Sequence, residues 1–355
     1  MAGLYIHIPF CKKRCLYCDF FSTTLLERRE EYVAALVKEI QARQNEAGEP
    51  IRTVYIGGGT PSTLSTKDLT SINHVLNSDK VVEYTVEINP GDATREYLQE
   101  LKKIGMNRLS IGIQSFQDDL LQLIGRRHNA TQAIEAVKMA QEAGFENISI
   151  DLMYALPTQT QERWMNDIET AIGLNVQHIS SYGLMYEEGT EMTRRMEAGE
   201  LKAMDEEEEN AMYDVLCERL KEAGFVHYEV SNFALPGYEA QHNSNYWNGT
   251  PYIGVGAGAH SYIGNVRSWN PEDLDAYIRG GFERVSEILT EDDIYNERIM
   301  LGLRTNQGVP RKLIKAGDVD THIEAGLLRE TTDGRIVATQ DGLHILNRII
   351  EDLMI

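Results

Sequence analysis

The sequence is poor in positive charge and lacks any long apolar run. Its 34 lysine and arginine residues are outnumbered by 55 aspartate and glutamate residues, which leaves a formal net charge of −21. A surface of this charge repels phosphate backbones and anionic lipids, so we exclude a broad nucleic-acid footprint and wide docking on an anionic membrane. No apolar run approaches the ~20 residues that a membrane-spanning helix needs. We therefore expect no nucleic-acid partner and no transmembrane segment, whereas peripheral association with a membrane stays compatible with the sequence.

The first residues and the overall composition also lack the signs of export or disorder. The start, MAGLYIHIPF, has neither a basic segment nor a long apolar segment, so it does not read as a signal peptide. Hydrophobic residues make up 42% of the chain and charged residues 25%, as in ordinary globular proteins. We expect a cytoplasmic protein whose 355 residues are enough for two domains, or for one barrel with an appendage.

Cysteine is scarce, and its placement is uneven. Cys11, Cys15 and Cys18 lie close together, while Cys217 stands alone in an apolar helical stretch and is expected in the core. A disulfide framework needs spread cysteines in an oxidising compartment, so clustered thiols in a cytoplasmic chain favour a metal or cluster site. Three thiolates at the spacing C-x3-C-x2-C can hold three irons of a 4Fe–4S cubane and leave the fourth iron open. A zinc clasp, for which His7 is the nearest histidine, and incidental thiols are the alternatives.

Alternating strand and helix patterns fill the first 230 residues. Short β-branched runs predict six strands, at Leu4–Ile8, Thr53–Ile56, Glu83–Ile88, Arg108–Ile113, Asn147–Leu152 and His178–Leu184. Apolar residues at helical spacing predict helices between them, one of which, Thr131–Ala143, is expected to end at Gly144. Ser65 with Asp68 predicts a capping box. The alternation indicates an α/β fold with a parallel sheet, either an open doubly wound sheet or an incomplete (β/α) barrel. Both arrangements put functional groups at the carboxyl ends of the strands.

The pattern changes beyond residue 230, and we expect three segments. Residues 1–230 would form the strand–helix domain, 231–270 a loop-rich connection, and 271–355 a C-terminal domain. Within the last segment, Thr321–Ile355 reads as helix, hairpin and helix with a turn signal at Thr331–Arg335, which predicts an α+β winged-helix-like unit. The overall charge speaks against DNA binding by this unit. Long loop-rich connections are more often functional than inert, so 231–270 is also a candidate for function.

A run of glycines directly follows the second predicted strand. Gly57, Gly58 and Gly59 precede Thr60 there. Glycine lets the backbone approach a ligand without a Cβ in between, although a tight turn would need the same residue.

Polar residues end the next three predicted strands. Glu87, Gln114 and Asp151 lie at these strand ends, and Arg126 could place a cation beside a carboxylate. Charged or amide groups inside apolar strand ends are costly unless they are paired. Each one alone could be a satisfied structural group, but together at one rim they predict a site.

The cysteine spacing, with Tyr17 directly before the last cysteine, resembles the signature of the radical S-adenosylmethionine superfamily. The resemblance implies an incomplete (β/α)6 barrel that carries a 4Fe–4S cluster on Cys11, Cys15 and Cys18. It also implies that the open iron binds the amino and carboxyl groups of S-adenosylmethionine, which is then cleaved to a 5′-deoxyadenosyl radical. The cofactor supplies this chemistry, while the protein orients it and excludes water.

Four further segments resemble the oxygen-independent coproporphyrinogen III oxidase group, and this likeness extends over nearly the whole chain. They are YIHIPFC, GGGTPS, IGIQSF and IDLMYALP. Carried over by this likeness, the positions that contact S-adenosylmethionine are Tyr5, Gly58, Gly59, Thr60 and Glu87. The positions assigned in that group to a second S-adenosylmethionine are Tyr17, Gln114, Arg126 and Asp151.

Two departures from that group argue against decarboxylation of coproporphyrinogen. The oxidases carry a fourth cysteine two residues after the third, where this sequence has Phe20. They also have a longer N-terminal extension than the ten residues that precede Cys11 here, and that extension is implicated in closing the substrate site.

Residues 242–247 form an H-N-x-x-Y-W motif that resembles the hallmark of the haem chaperone branch of this group. In a flexible polar loop, His242 can offer a neutral imidazole to a haem iron, and the flanking tyrosine and tryptophan can cover the porphyrin face. Such binding weakens below the pKa of the imidazole. A histidine that only makes hydrogen bonds within the loop is the alternative, and His227 and His260 are the other histidines we consider.

These features predict a haem chaperone that binds haem, a 4Fe–4S cluster and S-adenosylmethionine and passes haem to acceptor proteins such as respiratory cytochromes. The alternative is an oxygen-independent coproporphyrinogen III oxidase, which would turn two propionates into vinyls by radical decarboxylation. A radical enzyme that acts on RNA is disfavoured by the charge of −21. A homodimer is compatible with this interpretation, but no residue pattern argues for it.

Overall fold

Two β-sheets organise the structure, a computed structural model that describes residues 1–355. The strands of the large sheet are β1 (Ala2–Ile8), β2 (Ile51–Gly58), β3 (Glu83–Ile88), β4 (Arg108–Gln114), β5 (Ile148–Tyr154), β6 (His178–Gly183), β7 (Val226–Glu229), β8 (Asn232–Ala234), β9 (Tyr252–Val255), β10 (His260–Ile263), β11 (Val266–Trp269) and β12 (Val285–Ile288). The small sheet consists of β13 (Val309–Pro310), β14 (Leu328–Glu330) and β15 (Arg335–Ala338).

Fourteen α-helices surround and connect these strands. They are α1 (Arg29–Arg43), α2 (Thr66–Val75), α3 (Arg95–Ile104), α4 (Asp118–Leu123), α5 (Ala130–Glu142), α6 (Gln161–Gly173), α7 (Glu191–Glu197), α8 (Glu206–Glu222), α9 (Gln241–Asn248), α10 (Leu274–Ile278), α11 (Glu291–Leu303), α12 (Val319–Glu324), α13 (Gln340–His344) and α14 (Leu346–Leu353). None of them pairs sufficient length with sufficient apolar character to cross a bilayer.

The centre of the large sheet is parallel and its two ends are antiparallel. Strands β1 to β6 lie side by side in chain order and run parallel, which confirms the six predicted strands. Strand β9 adds a further parallel strand beside β1 and continues into the antiparallel strands β10, β11 and β12. At the other end, β8 pairs antiparallel with β6 and β7. The two ends do not pair with each other, so the barrel is incomplete.

The alternation of side chains along the parallel strands explains why the sheet curves around a polar interior. In β4, Leu109 and Ile111 are fully buried and belong to one apolar core with Leu36 of α1. The alternate residues Arg108 and Ser110 point to the opposite face and line a cavity. A doubly wound sheet is covered by helices on both faces and needs strands that are apolar on both sides. The predicted α/β fold is confirmed as the incomplete barrel.

Several predicted helix ends are also confirmed. Ser65 accepts a hydrogen bond from the N–H of Asp68, whose carboxylate accepts one from the N–H of Ser65, so the capping box forms at the start of α2. The predicted helix over residues 131–143 is α5, and Gly144 follows it with a φ of +85°.

The C-terminal unit has a core of its own. Its small sheet has the order β13, β15, β14, and the core includes Tyr295, Ile336 and Ile349. The predicted hairpin is present, because Thr331 and Arg335 bond across its turn. The large sheet continues to Ile288, so the change from the first core to the second lies beyond the predicted boundary at residue 271.

The prediction of a loop-rich connection over residues 231–270 is wrong in its local structure. This segment contains β8 to β11 and the two-turn helix α9. The residues of α9 have no apolar period, and the helix is held by tertiary contacts instead. The carboxylate of Glu83 accepts hydrogen bonds from the N–H groups of Gln241 and His242, each at 2.8 Å, and Gly249 ends the helix with a φ of +74°.

Candidate functional site

A cavity of about 390 Å³ opens at the carboxyl ends of the central parallel strands. It brings together every residue that the sequence predicted for the site except Tyr5 and His242. The predicted residues that line it are Cys11, Cys15, Tyr17, Cys18, Gly58, Gly59, Thr60, Glu87, Gln114, Arg126 and Asp151. These residues therefore collect at the carboxyl ends of the strands, which is where functional groups of such a sheet are expected.

Three free thiols form one wall of this cavity. Cys11 is buried, Cys15 and Cys18 are half-buried, and none of them is in a disulfide. The Sγ atom of Cys11 lies 3.3 Å from the hydroxyl of Thr60, and Arg126 donates a hydrogen bond of 3.3 Å to the Sγ atom of Cys15. No three His, Cys, Asp or Glu side chains converge closely enough to hold a single metal ion. Uncrosslinked thiols with donors at two of them, beside an open cavity, fit a cluster bound by three thiolates.

The glycine run passes directly under the cysteine loop. A Cβ on Gly59 would lie 2.9 Å from the carbonyl carbon of Pro9 and 3.0 Å from the Sγ atom of Cys11. Gly58 has a φ of +113°, and a Cβ there would lie 2.6 Å from the ring of His7. Both positions therefore require glycine: a side chain at Gly59 would push the cysteine loop away from the end of β2, and one at Gly58 would meet the ring of His7 at a φ that favours glycine.

Two carboxyl groups face the interior of the cavity and are hard to ionise. Tyr55 donates a hydrogen bond of 2.8 Å to Glu87, and the N–H of Gly58 donates one of 3.1 Å. Burial nevertheless raises the pKa of Glu87 to about 7. Burial likewise raises the pKa of Asp151 to about 6, although Ser110 donates a hydrogen bond to it. Both groups are suited to form hydrogen bonds with a polar ligand in the cavity.

Arg126 links the cysteine loop to the end of β4. Besides its bond to Cys15, its guanidinium donates to the carbonyl of Gly112, and its Nε atom is buried without a partner. Gln114, two residues after Gly112, has a φ of +75°, which is costly for a residue with a side chain. The register of β4 against β5 shifts between Gly112 and Gln114. Strain and an unpaired donor at one point of the wall indicate a ligand site rather than a packing element.

Sequence reasoning missed several residues of this cavity. Arg108 lines its floor, is 1% exposed, and has a buried Nε atom without a partner. Asn243 of α9 also lines it, while Phe20 and Met185 form a rim and are 63% and 67% exposed. The alternation of polar and apolar residues in β4 was a signal for Arg108. No local pattern could place α9 beside the barrel, because that contact depends on the tertiary fold.

Tyr5 lies behind the cavity wall. Its hydroxyl is 3.1 Å from the Nδ1 atom of His7, and its ring stacks on Tyr55 with centroids 6.2 Å apart. Tyr5 therefore supports the residue that holds Glu87, and it does not line the cavity itself.

His242 lies on α9 and is 1% exposed, so the expectation of a histidine in a flexible loop is wrong. Its Nδ1 atom lies 2.9 Å from the hydroxyl of Thr53, and its Nε2 atom lies 2.9 Å from the hydroxyl of Tyr246. Burial, together with the charge of Arg108, lowers the pKa of His242 to about 3. The imidazole is therefore neutral, as a metal ligand must be, but both nitrogens are engaged in this conformation.

Comparisons with known proteins place this geometry in context. Residues 5–171 match the family model of the Radical SAM superfamily. The chain is 40% identical to heme chaperone HemW of Bacillus subtilis over 325 residues, which cover 88% of this chain and 86% of that protein. It is 37% identical to heme chaperone HemW of Escherichia coli over 98% of this chain and 97% of that protein.

A solved structure shares the fold over almost the entire length. Coproporphyrinogen III oxidase (HemN) from Escherichia coli superposes with a TM-score of 0.83, covering 99% of this chain and 90% of that one, at 22% identity. At this identity the likeness shows a common fold, including the C-terminal unit, and it says nothing about a common substrate.

Proposed function

Since the chain belongs to the radical S-adenosylmethionine superfamily and, within it, to the family of the HemW proteins, we propose that it is a haem chaperone. It would bind haem, hold a 4Fe–4S cluster with S-adenosylmethionine, and pass haem to acceptor proteins such as respiratory cytochromes. The observation that carries this proposal is identity of 37% to 40% with proteins named heme chaperone HemW over 88% to 98% of the chain.

We assign the cluster to Cys11, Cys15 and Cys18. When bound with S-adenosylmethionine, the cluster supplies one-electron chemistry. Thr60 and Arg126 lie at hydrogen-bond distance from two of the sulfurs and would stabilise them as thiolates. The exposed rim around Phe20 leaves the cavity open to solvent on the side of the cysteine loop.

We assign S-adenosylmethionine to the part of the cavity between the glycine run and β3. Gly58 and Gly59 leave room for a ligand backbone, Thr60 offers a hydroxyl, and Glu87 accepts hydrogen bonds in the interior. Tyr5 takes part through its stacking on Tyr55. Binding is measured by equilibrium dialysis with the cluster reconstituted.

A second S-adenosylmethionine would use the opposite side of the cavity. Tyr17, Gln114, Arg126 and Asp151 lie there, and the unpaired Nε atom of Arg126 is available to a carboxylate. The stoichiometry of dialysis, two molecules or one, decides whether these residues form a second site.

We propose His242 as the ligand of the haem iron in a second conformation of the protein, in which α9 has moved from its present position. Both of its ring nitrogens are engaged here, so ligation requires the bonds to Thr53 and Tyr246 to break. In the closed form, His242 fixes α9 and orients Tyr246.

An anaerobic haem titration followed by absorbance tests the proposal. We expect saturation near one haem per chain, with an altered or absent Soret band in His242→Ala. The control is His74→Ala, because His74 is exposed on α2 and does not line the cavity. An unchanged band in His242→Ala would keep haem binding and move the iron ligand elsewhere.

Absence of saturable haem binding at micromolar concentration would contradict the chaperone function. Conversion of coproporphyrinogen III by the reconstituted protein would then support the oxidase alternative. The fold shared with coproporphyrinogen III oxidase makes this assay necessary, although Phe20 stands where the oxidases have a cysteine.

A further inference from the structure

A second cavity, of about 320 Å³, lies between the barrel and the C-terminal unit. We call it the C-terminal cleft. Its barrel side consists of residues from α9, β9, β10 and β11, and its other side consists of residues from α11 and the small sheet with its connections. Of the residues that the sequence singled out, only Tyr246 and Trp247 of the H-N-x-x-Y-W motif line it, so the cysteine loop and the glycine run do not explain it.

The barrel side of the C-terminal cleft is aromatic. Trp247, Tyr246, Tyr252 and Tyr262 line it. Tyr246 meets Tyr252 edge to face with ring centroids 4.7 Å apart, and Tyr252 and Tyr262 are 6.3 Å apart. Rings that support one another in this way form a rigid wall of apolar area, which suits a flat apolar ligand.

The opposite side of the cleft is mainly aliphatic. Ile294, Leu301 and Leu313 line it, and Leu313 is 37% exposed. A slot with an aromatic wall, an aliphatic wall and a few polar groups has the usual make-up of a small-molecule site.

Two arginines in the cleft have no carboxylate partner. Arg298 is exposed, and neither it nor Arg335 has an Asp or Glu oxygen within 4.0 Å. Arg335 donates instead to the carbonyl oxygens of Gln307 and Gly308. The third arginine, Arg267, is neutralised by Glu297 at 2.7 Å. In a chain of charge −21, two arginines at one largely apolar slot, neither with a carboxylate oxygen within 4.0 Å, point to a ligand with two negative groups.

We propose that the C-terminal cleft seats the porphyrin of haem, with the ring against Trp247 and the two propionates on Arg298 and Arg335. The inference rests on the proposed haem chaperone function. A tetrapyrrole is flat and apolar over most of its area, and it carries two carboxylates on one edge. It is larger than this cleft, so part of its rim stays outside, which suits a cargo that has to leave again.

The position of α9 connects the cleft to the first cavity. Asn243, in the first turn of α9, lines the cavity of the cysteine loop, and Trp247, one turn later, lines the cleft. Tyr246 contributes to the cleft wall while its hydroxyl lies 2.9 Å from His242. The H-N-x-x-Y-W motif therefore forms the partition between the two cavities.

Metal-free protoporphyrin IX tests the cleft without any contribution from an iron ligand. Its fluorescence is titrated with the full chain, with the variants Arg298→Gln and Arg335→Gln, and with the double variant. Each single change is expected to weaken binding about tenfold, because it removes a charge-assisted hydrogen bond to a propionate. The dimethyl ester of the same porphyrin should bind equally to wild type and variants.

Two control variants keep the test specific. Arg329→Gln changes an exposed arginine of the same unit that does not line the cleft, so it should bind like wild type. Trp247→Ala should weaken the free acid and the ester alike, because it removes contact area and no charge. Arg335 is half-buried, and its replacement could unfold the small sheet. In that case the exposed Arg298→Gln variant alone tests the propionate contact.

The outcomes distinguish failure of the proposed porphyrin site in the cleft from failure of the proposed chaperone function. If the wild type binds haem but the arginine variants bind protoporphyrin as the wild type does, the cleft is not the seat and the chaperone function stands. If the wild type binds neither haem nor protoporphyrin at micromolar concentration, both proposals fall. A loss confined to the free acid and to the cleft variants supports the cleft.

Discussion

At the scale of single residues, the site is limited by space and by charge. The cysteine loop rests on Gly59 with no room for a methyl group, and Glu87 sits where its ionised form is disfavoured. The first feature follows from the close approach of the cysteine loop to the end of β2, and the second from the burial of a side chain that β3 turns into the cavity. Their consequences are measurable one residue at a time.

Gly59→Ala should detach the cluster. The added Cβ would meet the backbone at Pro9 and the Sγ atom of Cys11, so the cysteine loop has to move. We expect the variant to lose most of its iron and its brown colour after anaerobic reconstitution. The matched control is Gly173→Ala, since a Cβ at Gly173 meets nothing within 4 Å. Iron contents equal to that of the control would show that the loop tolerates the shift.

Glu87→Gln should change how stability depends on pH. A carboxyl group with a folded pKa of about 7 and an ordinary unfolded pKa makes the folded state less stable as pH rises between these values. We expect the variant to gain about 2 kcal/mol of unfolding free energy over wild type between about pH 5 and pH 7. Urea unfolding of the cluster-free chain at both pH values measures this difference. If the difference in unfolding free energy between variant and wild type does not change with pH, the carboxyl group of Glu87 is well hydrated and its pKa is not raised.

At the scale of elements, local signals were sufficient where a strand or helix carried its own pattern. Strands β1 to β6 alternate apolar and polar residues, so both their positions and the polar interior could be read from the sequence. Strand β9 pairs with β1 across 249 positions of the sequence, with Gly3 opposite Tyr252, and nothing near either residue signals this pairing. Helix α9 was missed for the same reason, because distant Glu83 holds its first turn.

Glu83→Ala should loosen α9 selectively. The change removes the acceptor of the N–H groups of Gln241 and His242 and leaves the buried N–H of His242 unpaired, which costs about 1–3 kcal/mol. We expect faster hydrogen exchange of the α9 amides, while those of β4 keep their protection. Glu146→Ala, at an exposed position, is the control. Unchanged hydrogen exchange in α9 would mean that its other tertiary contacts are enough to hold the helix.

At the scale of the whole molecule, the C-terminal unit with its own core packs against a sheet that remains open. The site of the cysteine loop belongs to the barrel alone, so its residues could be predicted from strand ends. The C-terminal cleft needs both units, and its residues come from segments as distant as 247 and 335. A cleft built from two units has no complete signature in any one stretch of sequence. Only the motif at 242–247 predicted a part of it.

Ile288→Lys should reduce self-association of the chain. Strand β12 is an end strand of the large sheet, all four of its residues are exposed, and Ile288 is 74% exposed. An apolar edge strand can pair with a second copy, and a lysine there opposes this pairing. Sedimentation at increasing concentration should show less association than in wild type, with the unfolding free energy unchanged. Val82→Lys, at an exposed residue outside the strands, is the control. A wild type that stays monomeric throughout would remove the basis for the effect.

The partition formed by α9 has a thermodynamic consequence. The eight residues of α9 lie between the cavity of the cysteine loop and the C-terminal cleft, so a shift of this helix changes the walls of both. Any factor by which occupancy of one changes the affinity of the other must hold equally in reverse. The effect of a barrel ligand on the affinity of the cleft and the effect of a cleft ligand on the affinity of the barrel would then have the same coupling free energy. Binding measurements at either site can determine it.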